Sequence, residues 1–328
     1  MRALVTGGTG FIGSSIVREL LRANFEVRAL VRRGSDTRNL DGLDIERVIG
    51  DITDPESLAR CVRGCTHVFH AAALYSFWVT QPGLIEHVNV DGTRNVLEAA
   101  LEAGVERVVY TSSVAALAVP QKGIPVDEST PVDPKEIIGA YKKSKYAAEQ
   151  VALGFAKKGL PVVIVNPSFP VGPRDIKPTP TGQTILDFVN HRLPAYVDTG
   201  INVVDVEDVA QGHLLAAEKG RIGERYILGG KNMSMKEFLG ILAKITGIAA
   251  PRVRLPYGPL LALSYVNAGW CRITKTTPRM TPDTIRMSRH YMYYDPTKAI
   301  EELGLPQTPP EVALQKAVNW FRKGFAAT

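Results

Sequence analysis

The 328-residue sequence has only three cysteines, Cys61, Cys65 and Cys271, too few and of the wrong parity for a disulfide framework. No apolar run reaches the ~20 residues that a membrane span needs. The best stretch, Leu260 to Val266, follows Pro256 and Pro259. The opening Met1-Arg2-Ala3-Leu4-Val5-Thr6-Gly7 reaches glycine before a signal-peptide apolar region can form. These absences predict a cytoplasmic protein that at most touches a membrane surface. There is no internal repeat, no low-complexity tract and no block of like charge. The excess of 39 Lys and Arg over 33 Asp and Glu reads as scattered along the chain, so nucleic acid is not the expected partner, whereas an anionic ligand or an acidic membrane surface fits the sign.

With 45% apolar and 22% charged residues, the composition is that of a globular protein with one large domain or two unequal ones. Cys61 and Cys65 stand one helical turn apart with His67 and His70 just beyond, a superficially metal-like set. Thr66 to Ala73 reads as a buried strand, whose alternation sends the histidines away from the cysteines, and no metal is expected.

Short apolar runs alternate with helical spacing through the first half. Ala3 to Thr6, Glu26 to Val31, Ile45 to Ile49, His67 to Ala71, Arg107 to Thr111 and Val162 to Asn166 read as strands. Between them, Phe11 to Arg22, Pro55 to Arg63, Leu84 to Ala103 and Ala140 to Lys157 read as helices. The pattern predicts an α/β fold, a doubly wound parallel Rossmann sheet with right-handed crossovers. A proline- and glycine-rich loop is expected from Pro167 to Gly182, at the end of a central strand where ligands sit. Glu207 to Lys219 reads as helix and Glu224 to Leu228 as a strand returning to the sheet. Ser234-Met235-Lys236-Glu237 is a capping box before the helix Phe238 to Ile245. With Pro256 to Trp270 and Glu311 to Lys323 it predicts a smaller, mostly helical C-terminal lobe. The expected division is a cofactor domain of residues 1–167 with a return segment of about 201–229, and a substrate lobe of about 168–200 and 230–328.

Two constellations carry chemistry. Gly7-Gly8-Thr9-Gly10-Phe11-Ile12-Gly13 lies between the first strand and the first helix, where a dinucleotide pyrophosphate meets helix N-terminal amides. The glycines read equally as Gly8-x-Gly10-x-x-Gly13 or Gly7-x-x-Gly10-x-x-Gly13. At the end of the second strand, where an acidic residue would take the ribose 2′-hydroxyl of NAD, stand Arg32 and Arg33. An arginine fork suits a 2′-phosphate, so NADP is expected over NAD. The second constellation is Ser113, ending the strand Tyr110-Thr111-Ser112-Ser113, with Tyr141 and Lys145 four residues apart on one helix face. A neighbouring ammonium is expected to lower the phenol's pKa so that Tyr141 can exchange a proton while Ser113 holds the substrate oxygen.

The glycine loop, Gly50-Asp51, His70-Ala71-Ala72-Ala73, Asn89-Val90-Asp91-Gly92-Thr93, Ser113 and Tyr141-Lys145 together resemble the extended short-chain dehydrogenase/reductase family over nearly the whole chain. Within it, Asn166 to Asp175, Pro178 to Gly182 and Tyr196 to Gly200 are similar to bacterial hopanoid-associated sugar epimerases, which in turn look like dihydroflavonol reductases. The resemblance implies that Asp51 and Ile52 lie near the adenine and that Ala71, Ala72 and Ala73 line the cofactor path with Thr111. It also implies that Lys145 reaches the nicotinamide ribose, that Pro167 and Ser168 lie near the nicotinamide, and that the chain forms a homodimer through Leu84 to Ala103 and Ala140 to Lys157.

Arg32 in place of an acid, and Val114-Ala115-Ala116 in place of the Val-Tyr-Gly usual in sugar epimerases, favour a reductase that releases its cofactor. Tyr75, Phe77 and Trp78, with Phe169, Ile176 and Tyr196, are candidate walls for an apolar or ring-shaped small-molecule substrate. Arg174 and Lys177 are candidate anion contacts, though loop cations are the plainer reading. The leading expectation is an NADP(H)-dependent oxidoreductase interconverting a ketone or aldehyde and a secondary alcohol. The alternatives are epimerisation by transient oxidation and a non-catalytic NADP-binding sensor.

Overall fold

The computed structural model describes residues 1–75, 81–121, 123–274, 276, 278 and 280–324. Its large sheet contains β1 (Arg2–Thr6), β2 (Glu26–Val31), β3 (Glu46–Ile49), β4 (His67–His70), β5 (Arg107–Thr111), β6 (Val162–Pro167) and a late strand, Arg225–Leu228. The spatial order is late strand, β6, β5, β4, β1, β2, β3, and every pairing is parallel. Strand order reverses between β1 and β4, which opens a crevice at their C-terminal ends.

Each strand divides its apolar side chains between two helical layers, because successive residues face opposite ways. Ala3, Val5, Phe69, Val109, Val163 and Val165 pack beneath α1 (Phe11–Arg22) and a later helix, Val206–Lys219. Leu4, Val68, Val108, Tyr110, Val162 and Ile164 pack beneath α2 (Pro55–Val62), a helical run from Leu84 to Glu102, and α5 (Ala140–Lys157). The run from Leu84 to Glu102 is α3 (Leu84–Glu86), a π-helical turn over His87–Asp91, and α4 (Gly92–Glu102). A Cβ on Gly92 would lie 2.7 Å from Ile52 Cδ1, so glycine lets the helix pass that side chain closely.

The stretch expected as loop after Asn166 is more ordered than its prolines suggested. Phe169–Val171 forms β7 at the edge of a second sheet, where Pro170 can lack an N–H without breaking an inner ladder. Pro180 opens α6 (Pro180–Val189), with Thr179 as its side-chain cap. After β8 (Ala195–Val197) come β9 (Gly200–Asp205), α7 (Val206–Lys219), β10 (Arg225–Leu228), which is the late strand of the large sheet, and β11 (Lys231–Ser234). The second sheet has the order β11-β9-β7, so β9 belongs to it and α7 and β10 to the large layer.

The capping box holds: Ser234 Oγ accepts from Glu237 N–H at 3.2 Å and Glu237 Oε2 accepts from Ser234 N–H at 2.7 Å, opening α8 (Met235–Thr246). Then follow β12 (Val253–Leu255), parallel to β8, α9 (Tyr257–Thr274), α10 (Pro282–Met287) and α11 (Pro310–Gly324). Phe188, Phe238, Leu242, Leu314 and Phe321 from α6, α8 and α11 close the core over β7 and β9. This smaller region therefore contains short sheets as well as helices. None of the described helices is long and apolar enough to cross a membrane.

Candidate active site

The glycine loop turns at the head of the crevice. Gly7 has φ +71°, and a Cβ there would lie 2.6 Å from Ala72 N and 2.7 Å from the Ala71 carbonyl carbon. A Cβ on Gly13 would stand 2.1 Å from the Gly7 carbonyl oxygen, whereas Gly8 has room for ordinary contacts at 3.4 Å or more. The spacing that sterics require is therefore Gly7-x-x-Gly10-x-x-Gly13. Gly10 caps α1 without a side chain, and no acid stands in the first turn, so Phe11, Ile12 and Gly13 begin a helix end suited to a phosphate. Asn39 Nδ2 bridges the carbonyls of Thr9 (3.1 Å) and Arg174 (3.0 Å), fixing the loop from outside. This backbone cradle, closed to any Cβ at two positions, fits a dinucleotide pyrophosphate.

At the end of β2, Arg32 and Arg33 are exposed in a turn where Arg32 O accepts from Ser35 N–H at 3.1 Å. The next acid, Asp36, is held by Arg38 at 2.7 Å, which lowers its carboxyl to about 2. Asp51 Oδ1 accepts from the Thr53 N–H and hydroxyl at 2.9 and 2.8 Å, and Ile52 is buried, its carbonyl held by Asn95 at 3.0 Å. His70 lies wholly buried between the Thr6 hydroxyl (2.7 Å to Nδ1) and the Thr93 hydroxyl (3.0 Å to Nε2). Thr93 donates to Asn89 O at 2.6 Å, which assigns the proton to Nε2. Burial pushes this histidine down to about 3. Cys61 and Cys65 are buried thiols pushed up by desolvation, with Cys65 Sγ 3.8 Å from the Cys61 carbonyl.

Across the crevice, Ser113 Oγ accepts from Ala115 N–H at 3.1 Å and hydrogen-bonds Tyr141. Lys145 Nζ donates to Thr111 O at 2.8 Å and to Tyr110 Oη at 3.4 Å. The three residues named by sequence are thus gathered at the ends of β5 and α5. The expected acidic phenol is not found. Burial pushes Tyr141 up to about 12, and the Ser113 bond pulls against that rise. Burial lowers Lys145 itself to about 8.

Sequence reasoning missed the supports beneath this group. Asn89 donates to Leu74 O (3.1 Å) and Ser144 Oγ (2.9 Å) and accepts from Leu74 N–H (2.7 Å), while Ser144 donates to Tyr141 O at 2.7 Å. Glu149, one turn beyond Lys145 and 0% exposed, accepts from Asn166 Nδ2 at 2.8 Å and pairs with Arg225 at 3.4 Å. The available signal was the i, i+4 placement of an acid after Lys145 among the alanines of a buried helix face.

The expected substrate walls part company. Tyr75 lies edge-to-face with Tyr141, ring centroids 4.6 Å apart. Phe169 packs against the second-sheet core and the cluster of Val114, and Tyr196 packs against the second-sheet core. Phe77 and Trp78 lie outside the described residues. Pro167 ends β6 beside Leu228, and Ser168 donates to Asn202 O at 2.9 Å. Arg174 is turned to Glu207 at 3.3 Å, a structural pair.

Residues 3–229 match the model of the NAD dependent epimerase/dehydratase family. The chain belongs to this family. It is 48% identical to a dihydroflavonol 4-reductase-like protein of Synechocystis sp., covering 99% of this chain and 96% of that one. It is 37% identical to sterol demethylase protein B of Methylococcus capsulatus over 98% and 99%. The crystal structure of gox2253 superposes with TM-score 0.88 at 47% identity, covering 98% of both chains. The family member described here is an NAD(P)-dependent oxidoreductase or epimerase of the extended short-chain dehydrogenase/reductase type, with a Rossmann fold and a nicotinamide cofactor.

Proposed function

We propose that this family member is an NADP(H)-dependent reductase of a ketone or aldehyde on an apolar, ring-shaped molecule, running also as the reverse secondary-alcohol dehydrogenase. The observation that carries the reading is the hydrogen-bonded pair of Ser113 and Tyr141 standing beside Lys145 at the strand ends. Ser113 holds the substrate oxygen, and Tyr141 gives it a proton as the oxygen becomes an alkoxide. A phenol pushed up to about 12 is protonated at neutral pH and so can donate in the reducing direction. The bound nicotinamide supplies or receives the hydride.

Arg32 supports NADP over NAD, since β2 ends without a free carboxylate: Asp36 is committed to Arg38. The Gly7, Gly10 and Gly13 cradle with Phe11 and Ile12 takes the pyrophosphate, Asp51 and Ile52 the adenosine end, Ala71 to Ala73 and Thr111 the path between. Lys145 takes the nicotinamide ribose, and Pro167 and Ser168 the ring. Residues 1–167 and about 201–229 form the cofactor domain in this reading, and the rest the substrate lobe, with Tyr75 facing the reaction. The names of two relatives, a sterol demethylase component and a dihydroflavonol reductase-like protein, fit a polycyclic substrate.

The test is identification of the copurifying nucleotide, followed by a carbonyl panel monitored for NADPH loss with wild type and Tyr141→Phe. Consumption by wild type and none by the variant is expected. Substrate inversion without net cofactor change would assign an epimerase instead, and unaffected Tyr141→Phe turnover would remove the mechanism.

A further inference from the structure

Helix α9 turns an apolar face to solvent. Leu263, Val266, Trp270 and Ile273 are 55, 69, 65 and 79% exposed, at spacings of three and four that place them on one side. Leu260, Ser264, Ala268 and Cys271 are buried on the other. A helix lying on a protein surface ordinarily has a polar outer face. This one contains no Asp, Glu or Lys, and its only charged residue is Arg272. Among the described residues it is the largest concentration of exposed bulky apolar side chains.

The charge around it is the second observation. Between Pro251 and Met292 the sequence has seven Arg and Lys against the single acid Asp283, and the rest of the chain carries 32 of each sign. This segment is thus net +6, while the remainder balances as a whole. Arg252 and Arg254 are exposed before the helix, Arg254 paired with Asp198 at 3.2 Å, and Arg272 is exposed at its end. On the neighbouring α10 and just after it, Arg286 is bound to the Tyr265 hydroxyl and Arg289 stands over the Tyr257 ring at 5.1 Å. Arginines thus border an apolar stripe that includes a tryptophan, the composition of a surface that lies in the plane of a lipid interface. A second copy of the chain is the poorer occupant, because a symmetric contact would bring this cationic border against itself.

We propose that α9 docks the protein on an anionic lipid bilayer, with Leu263, Val266, Trp270 and Ile273 entering the acyl boundary and the bordering arginines meeting lipid phosphates. The neighbouring α10 reaches toward the site: Asp283 packs against Gly139, the residue before α5, where a Cβ would lie 3.3 Å from the Asp283 carboxylate. The inference concerns lipid binding alone and stands or falls separately from the reaction.

The test is flotation of the full chain with vesicles of phosphatidylcholine, alone or with an equal share of phosphatidylglycerol. Wild type is expected to float with the anionic vesicles at low salt and to be released by high salt. Val266→Ser with Trp270→Ser should cut partitioning at least about tenfold, with circular dichroism and thermal midpoint unchanged. Arg252→Gln and Arg289→Gln should each cut it about fivefold. Absence of flotation, undiminished flotation of the double serine variant, or a lipid-indifferent dimer that Trp270→Ser dissociates would each overturn the proposal, the last assigning the face to a second copy.

Discussion

The ammonium of Lys145 donates to the carbonyl oxygen of Thr111 at 2.8 Å, tying the helix of Tyr141 to the strand that leads into Ser113. Beneath it, Glu149 holds Asn166, and Asn166 Nδ2 also donates to the Ser113 carbonyl at 3.0 Å. The acid–base group is therefore set by a buried polar frame that joins α5, β5 and β6. Such a frame is costly to leave half-satisfied.

Tyr141→Phe keeps the ring against Tyr75 and removes only the hydroxyl. Turnover should fall by about 10²–10⁴, while NADPH affinity, read by fluorescence titration, stays within about threefold.

Lys145 carries its charge below about 8 and loses it above, and Glu149 works against that loss. With the charged lysine needed, kcat should decline above about pH 8. Glu149→Gln removes the supporting anion, so the decline should move to lower pH by about one unit, visible in the pH profile of kcat. A purely structural role would lower kcat at all pH values without moving the limb.

Gly13→Ala drives a methyl toward the Gly7 carbonyl, whereas Gly8→Ala meets only ordinary contacts. The first should destabilise the fold by about 1–3 kcal/mol and weaken NADP binding at least tenfold. Gly8→Ala should do neither, and thermal melts with cofactor titration separate the two.

Arg32→Ala should weaken NADP about 10–100-fold, as expected for loss of a charge-assisted bond, and leave NAD unchanged. Isothermal titration with both nucleotides checks it; equal wild-type affinities would contradict the assignment.

Buried His213 is held neutral, with Nε2 2.9 Å from Thr111 Oγ1 and Nδ1 2.7 Å from Val209 O, and burial lowers it to about 4. Its folded pKa is depressed below that of the unfolded chain, so its contribution is intact above about 6.5 and is lost as the pH falls toward 4. His213→Gln should flatten that decline by about 3 kcal/mol in urea unfolding measured across the range.

Local rules written into single segments were legible without coordinates. Alternating apolar runs gave the strands, Tyr141 and Lys145 shared a helix face, Ser234 and Glu237 capped α8, and the glycine loop lay between β1 and α1, because each depends on neighbours a few residues away. Tertiary structure decided what distant neighbours determine. Close approach of Ala71 and Ala72 selects Gly7 over Gly8, an edge position admits Pro170 to a strand, and burial, which pattern cannot weigh, pushes the Tyr141 phenol up. Which face of α9 stays in water is likewise a fact of packing, since its apolar residues run all the way round the helix.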